Sequence, residues 1–239
     1  MTGVQTCALP IYRQHLLTLA DGQIVYCSHA GATVAVDAWT GQPTWGVRYP
    51  SRGPLTAEHE PSPRDLTPAV YADGRVYAAP LDSDRLFCMD SASGRVLWEV
   101  EGVEIVHLLG IKNGRLFVAT RSGLLSIQTT TGETQWTQPT VERLPSLGRG
   151  LLAGSWLIWP TQNLDLPYRA VTLGAGHQQS EGAEDDDPKM PQRLAVGNLA
   201  FGQGCLAIAG LDVNTGLDEL VVYVPPQRLR QLPPVELGP

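Results

Sequence analysis

Apolar and polar residues alternate along this chain in runs of four to six, separated by Asp-Gly, Asn-Gly or Ser-Gly pairs. Two segments show the pattern most clearly: TPAVYADGRVYAAPLDSDRLFCMDSASGRVLWEVE from Thr67, and VHLLGIKNGRLFVATRSGLLSIQTTTGETQWTQ from Val106. They are copies of one unit. Alternation with a period of two places one set of side chains on each face of a strand, and the intervening dipeptides favour tight hairpin turns. Each unit is therefore expected to fold as an antiparallel sheet of about four strands.

The register of the copies can be counted. The first hairpin glycine falls at Gly22, Gly74, Gly114, Gly154 and Gly204, at intervals of 52, 40, 40 and 50 residues. The two long intervals hold insertions, the proline-rich PSRGPLTAEHEPSPRD from Pro50 to Asp65 and the acidic HQQSEGAEDDDPKM from His177 to Met190. A second landmark, Gly-x-x-x-Trp, occurs at Gly41/Trp45, Gly94/Trp98 and Gly132/Trp136. A four-stranded repeat of about forty residues has the dimensions of a propeller blade, which buries its faces against its neighbours. The glycine supplies the positive backbone dihedral of the turn into the outermost strand, and the tryptophan fills the wedge between blades. These positions are read as structural.

The segment Leu-x-x-Met-Asp-x-x-Ser-Gly-Arg-x-Leu-Trp from Leu86 to Trp98, with weaker versions at Val34 to Trp45 and Leu124 to Trp136, resembles the repeat of the PQQ-like (quinoprotein-type) β-propeller superfamily. That repeat carries an aspartate four residues before the glycine; Asp37 and Asp90 match it and Gln128 departs from it. The expectation is an all-β propeller with about five four-stranded antiparallel blades, at 12–50, 66–101, 105–139, 145–176 and 193–225, followed by an irregular tail over 226–239. In the fourth unit the Gly-x-x-x-Trp strand is missing, and Trp156 and Trp159 stand in for part of its packing. Closed propellers have about four to eight blades, so five imply an open arc of a seven- or eight-bladed ring.

Residues Met1 to Ile11, MTGVQTCALPI, read as the translation of a sequencing adapter fused in frame to natural protein. Such a segment is left out of fold reasoning, and on this reading the natural N-terminus, with any signal peptide, is missing. The full chain has 17% charged residues and no apolar run of the eighteen or so residues that a membrane span needs. The net charge of −7 argues against nucleic-acid binding. The acidic run from Glu181 to Asp187 lacks the alternating ligands of a calcium loop and reads as a solvated surface segment. Beyond Cys7 the cysteines are Cys27, Cys88 and Cys205, an odd number in separate units, which suits small buried apolar groups rather than a disulfide framework.

A quinone-dependent dehydrogenase of the resembled superfamily would use an aspartate base beside a calcium ion, an arginine near the quinone, a tryptophan platform and, commonly, two adjacent cysteines. This chain has no adjacent cysteines. Asp37 and Asp90 occupy repeated turns, where carboxylates cap backbone amides. The histidines His15, His29, His59, His107 and His177 show no metal-ligand spacing. No catalytic, cofactor-binding or metal-ligating residue is assigned and no cofactor is expected. The function expected is a non-catalytic scaffold that binds a protein or polymer through its blade loops; the alternative is a fragment of a PQQ-dependent alcohol or sugar dehydrogenase, with PQQ and calcium. The inserted loops 50–65 and 177–190, with Arg52 and Arg64, are the expected contact surfaces. The resemblance implies a periplasmic or cell-surface location.

Overall fold

In the computed structural model the described residues are 16–52, 67–103, 105–120, 123–139, 149–154, 156–160, 168–173, 194–202, 205–212, 215 and 218–223. The side chains of 136–139, 168–172, 194–197, 211–212, 218 and 223 are not described, which includes Trp136. The described elements are all β-strands, and no helix among them is long and apolar enough to cross a membrane. The chain divides into two compact units, Met1–Val103 and Glu104–Pro239.

The first unit holds two blades. The strands of blade 1 are β1 (Leu17–Ala20), β2 (Gln23–Cys27), β3 (Ala32–Asp37) and β4 (Pro43–Arg48). Those of blade 2 are β5 (Val70–Ala72), β6 (Arg75–Ala78), β7 (Leu86–Asp90) and β8 (Val96–Val100). Each is an antiparallel meander in which every strand pairs with the next in sequence. Alternation sorts the two faces. In blade 1, Ala20, Val25, Cys27 and Ala35 are buried in one cluster with Ala69, Val76, Ala78, Phe87 and Met89 of blade 2. Burying side chains of this size stabilises the unit by roughly 1.5–3 kcal/mol for each of the larger ones.

The second unit holds three blades. Blade 3 comprises β9 (Ile105–Lys112), β10 (Arg115–Thr120), β11 (Gly123–Gln128) and β12 (Thr134–Pro139). Blade 4 contains β13 (Leu151–Ala153), β14 (Trp156–Pro160) and β15 (Tyr168–Thr172), and blade 5 contains β16 (Leu194–Gly202), β17 (Cys205–Asp212) and β18 (Asp218–Tyr223). Leu109, Phe117, Ala119 and Leu124 of blade 3 pack with Leu157 and Trp159 of blade 4. Leu151 and Ile158 of blade 4 pack with Leu199 and Ile208 of blade 5, with Trp156 at the margin of that cluster. The two tryptophans of β14 thus point into opposite junctions, as alternation along a strand requires.

A register shift recurs in blades 1 to 3. It falls between Ala35 and Val36, between Cys88 and Met89, and between Ser126 and Ile127, just before the turn into the outermost strand. The residues directly ahead of these bulges pair with Trp45, Trp98 and Trp136. A bulge re-aims the strand that follows it, and here it does so at the tryptophan in each blade.

Candidate functional site

The meander places its turns at two ends of each sheet, and the two ends are built differently. At one end lie the turns between first and second strands. Asp21 and Gly22, Asp73 and Gly74, and Asn113 and Gly114 all have positive φ, between 46° and 74°. Two consecutive left-handed residues make the hairpin turn whose twist matches the flanking strands.

The turns between third and fourth strands lie at the same end. Gly41, Gly94 and Gly132 have φ of 70°, 72° and 79°, and each donates its N–H at 2.9 Å to the carbonyl of Asp37, Asp90 or Gln128. Asp37 Oδ1 accepts from the backbone N–H of Trp39 and Thr40 and from the Thr40 hydroxyl; Asp90 Oδ1 accepts likewise from Ser93. The Thr40 amide bond first, and the Ser93 hydroxyl first, hold these carboxyls below the usual aspartate range. Gln128 has no carboxylate to offer, and its side-chain amide donates to Thr130 Oγ1 instead.

Trp45 leans from β4 across the junction with blade 2. Its Nε1 donates to the Ser91 carbonyl at 2.8 Å, and its ring covers Gly94 so closely that a Cβ there would stand 2.6 Å from Trp45 Cε3. Ser91 also accepts from Gln23 Nε2 and donates to Asp21 Oδ2. Trp98 stacks at a tilt on Tyr77 of its own blade, with ring centroids 5.8 Å apart. The Trp136 side chain lies outside what the structure describes.

At the opposite end the polar groups are buried. Asp82, 1% exposed in the β6–β7 loop, accepts from the Gly31 amide through Oδ2 at 2.8 Å and from the Tyr49 hydroxyl through Oδ1 at 2.9 Å. Its backbone carbonyl accepts from the Arg52 amide at 2.7 Å, and the Tyr49 hydroxyl lies 3.9 Å from Cys27 Sγ. His29, at φ 52°, accepts the Leu81 N–H at Nδ1. A buried carboxylate is tolerable only with donors aimed at it, and blade 1 supplies them to a loop of blade 2. Burial pushes the Tyr49 phenol and the Cys27 thiol up, so both stay protonated in ordinary buffers.

The second unit carries a buried side-chain donor with no hydrogen-bond partner. The Arg149 N–H donates to Asn198 Oδ1 at 2.9 Å and its carbonyl accepts from Leu199, fixing the backbone ahead of β13 against β16. Arg149 Nε is buried and has no hydrogen-bond partner. Sequence reasoning missed both Asp82 and Arg149. Arg52, expected as a contact residue, is exposed but spends its charge on Asp84 at 2.7 Å. Arg64, most of the 50–65 insertion, all of 177–190, His15, His59 and His177 lie outside the described residues.

No group of three or more His, Cys, Asp or Glu stands close enough to hold a metal ion among the described residues. Asp37 and Asp90 are committed to their own turns, and Cys27, Cys88 and Cys205 are free thiols on separate strands, the first two buried and Cys205 half-buried.

Residues 29–183 match the family described as outer membrane protein assembly factor BamB. This chain belongs to that family. Among solved structures it is similar to BamB from Moraxella catarrhalis, with a TM-score of 0.53 at 17% identity over 85% of this chain and 59% of that one. It is also similar to the computationally designed Ika8 protein, with a TM-score of 0.52 at 13% identity, covering 85% of this chain and 60% of that one. The chain thus spans about six-tenths of the solved chains it matches. No curated protein matches it by sequence. Membership in the BamB family, together with the five meanders, makes this a β-propeller chain of PQQ-like repeats.

Proposed function

We propose that this chain is a non-catalytic propeller module that binds a protein partner, in the manner of an accessory factor in outer-membrane protein assembly, on the periplasmic side of a bacterial envelope. The observation that carries the reading is Arg149. Its Nε is buried without a hydrogen-bond partner while the residue as a whole is half-buried, so a partner's acceptor would have to approach along the more exposed part of the side chain. Arginine is the residue best suited to this use, since its fork matches a carboxylate bidentately and it recurs at the centre of interfaces. Asp37 and Asp90, committed to their own backbone turns, support a structural rather than a chemical use of these carboxylates.

A photo-crosslinking residue at position 149, in the full chain expressed in the periplasm of a Gram-negative host, tests this reading. The expected result is a discrete adduct with a protein of the outer-membrane assembly machinery, absent when the crosslinker replaces exposed Trp39. Calcium-dependent binding of PQQ to the purified chain, measured by calorimetric titration, would overturn the non-catalytic reading. A missing adduct at 149 would overturn the assignment of the surface.

A further inference from the structure

Among the described residues, Asp21, Asp73, Asn113 and His29 are the non-glycine residues with φ in the left-handed region. The first three sit in hairpin turns that require it. His29, at 52°, does not: it lies in the loop between β2 and β3 of blade 1. A bulky residue held there costs stability, and the conformation must serve something else. What it serves is a contact between blades. His29 Nδ1 accepts the N–H of Leu81, in the β6–β7 loop of blade 2, at 3.0 Å. Two residues further on, Gly31 donates its N–H to Asp82 Oδ2 at 2.8 Å. The two loops are thus clasped by a pair of backbone-to-side-chain bonds, one running each way across the junction.

The His29 bond depends on a proton. An imidazole nitrogen accepts only while it carries no hydrogen, so the proton of the neutral ring sits on Nε2. A second proton on Nδ1 would face the Leu81 N–H, abolish the bond and strand a part-buried donor. We infer that His29 makes the junction between blades 1 and 2 acid-sensitive: the neutral imidazole clasps the β6–β7 loop through Leu81, and protonation releases it.

The other ionisable groups of these loops, among the described residues, leave that sign intact. Asp82 follows Leu81, but both its oxygens already accept, from Gly31 and from the Tyr49 hydroxyl. Asp84 is paired with Arg52, so their charges offset each other. Burial pushes the Tyr49 phenol and the Cys27 thiol up, and both stay neutral as His29 titrates. Because only the neutral ring makes the bond, its contribution is fully present above the ordinary histidine value, about 6.5, and is lost on acidification below it.

Hydrogen exchange of the Leu81 amide in the full chain tests this, each rate being divided by the intrinsic rate at its own pH. Protection at about pH 7.5 should exceed that at about pH 5 by about fivefold, the effect of a bond made by one protonation state alone. His29→Asn removes the titrating ring and tolerates the left-handed backbone, so its Leu81 protection should be the same at both pH values. The nitrogen chemical shifts of the His29 ring give a reading that needs no variant: Nδ1 should be the unprotonated nitrogen at about pH 7.5. Protection that holds or rises on acidification, an equal fall in His29→Asn, or a ring proton on Nδ1 at the higher pH would overturn the inference.

Discussion

The junction between blades 1 and 2 and the junction between blades 4 and 5 solve the same problem with different means. The first is stitched at both ends: Trp45, Gln23 and Asp21 converge on Ser91, while Asp82 is held by Gly31 and Tyr49. The second rests on the apolar cluster of Leu151, Ile158, Leu199 and Ile208, with the Arg149 backbone bonded to Asn198 and Leu199 and its Nε buried without a partner. The first junction thus registers one blade on the next through side-chain hydrogen bonds, and the second through apolar packing and backbone bonds.

The sharpest way to break this contrast is to remove the buried carboxylate. Asp82→Ala strands the Gly31 amide and the Tyr49 hydroxyl in a dry site, and should cost about 3 kcal/mol, since hydrogen bonds to a charged group contribute roughly 1.5–3 kcal/mol and orphaned donors add to that. Tyr49→Phe, which leaves one donor on Asp82, should cost only about 1–2 kcal/mol. Urea unfolding of both variants checks the order. If Asp82→Ala were no worse than a typical surface change, the first junction would not depend on its buried charge.

Arg149→Met should behave oppositely. Replacing a half-buried side chain whose Nε has no partner by an apolar one of similar length should leave stability unchanged or raise it by up to about 1 kcal/mol. Crosslinking from a neighbouring position should then fall at least tenfold. A destabilisation above about 1 kcal/mol would show that Arg149 is structural and that the contrast between the junctions is false.

Much of this fold was legible in the sequence, because a repeat states its own register. The Asp-Gly and Asn-Gly dipeptides mark turns whose φ values are positive at both central residues, as at Asp73 and Gly74. In blades 1 to 3 the strands flank these turns on both sides, as the alternation implies. The site was far less legible. Asp82 sits in PLDSD with no local signature, and its importance lies in partners 51 and 33 residues away. Arg149 follows a stretch without periodicity, and neither the burial of its Nε nor that atom's lack of a partner is a property of sequence.

A finer comparison is between two glycines of identical backbone geometry. Gly94→Ala and Gly41→Ala both place a Cβ at φ near 70°, at a cost of about 1–2 kcal/mol for leaving the region L residues prefer. Only Gly94 lies under a ring, where the added carbon would meet Trp45 at 2.6 Å. Gly94→Ala should therefore be worse than Gly41→Ala by a further 1 kcal/mol or more, of the order seen for overpacking. Trp45→Phe in the Gly94→Ala background should recover part of that difference. Equal costs at the two glycines would mean that the tryptophan does not seat as described.

The smallest effect is electrostatic and belongs to the turns shared by the regular blades. Asp37 and Asp90 titrate below the usual aspartate value because their charged forms accept bonds from Thr40 and Ser93. A group whose folded pKa is depressed adds stability above its unfolded value, about 3.9, and that contribution is lost as pH falls through the lower folded value. Stability of the first unit should thus decline from about pH 5 downward, and Asp37→Asn with Asp90→Asn should flatten that decline while leaving the slope above pH 5 unchanged. Because both carboxyls face solvent, the difference between wild type and double variant should shrink further in 1 M salt, where charge interactions are screened within about 3 Å while the hydrogen bonds persist. Blade 3 provides the internal control. Gln128 occupies the same turn without a titratable group, so a local probe on its β11–β12 turn should show no such pH dependence.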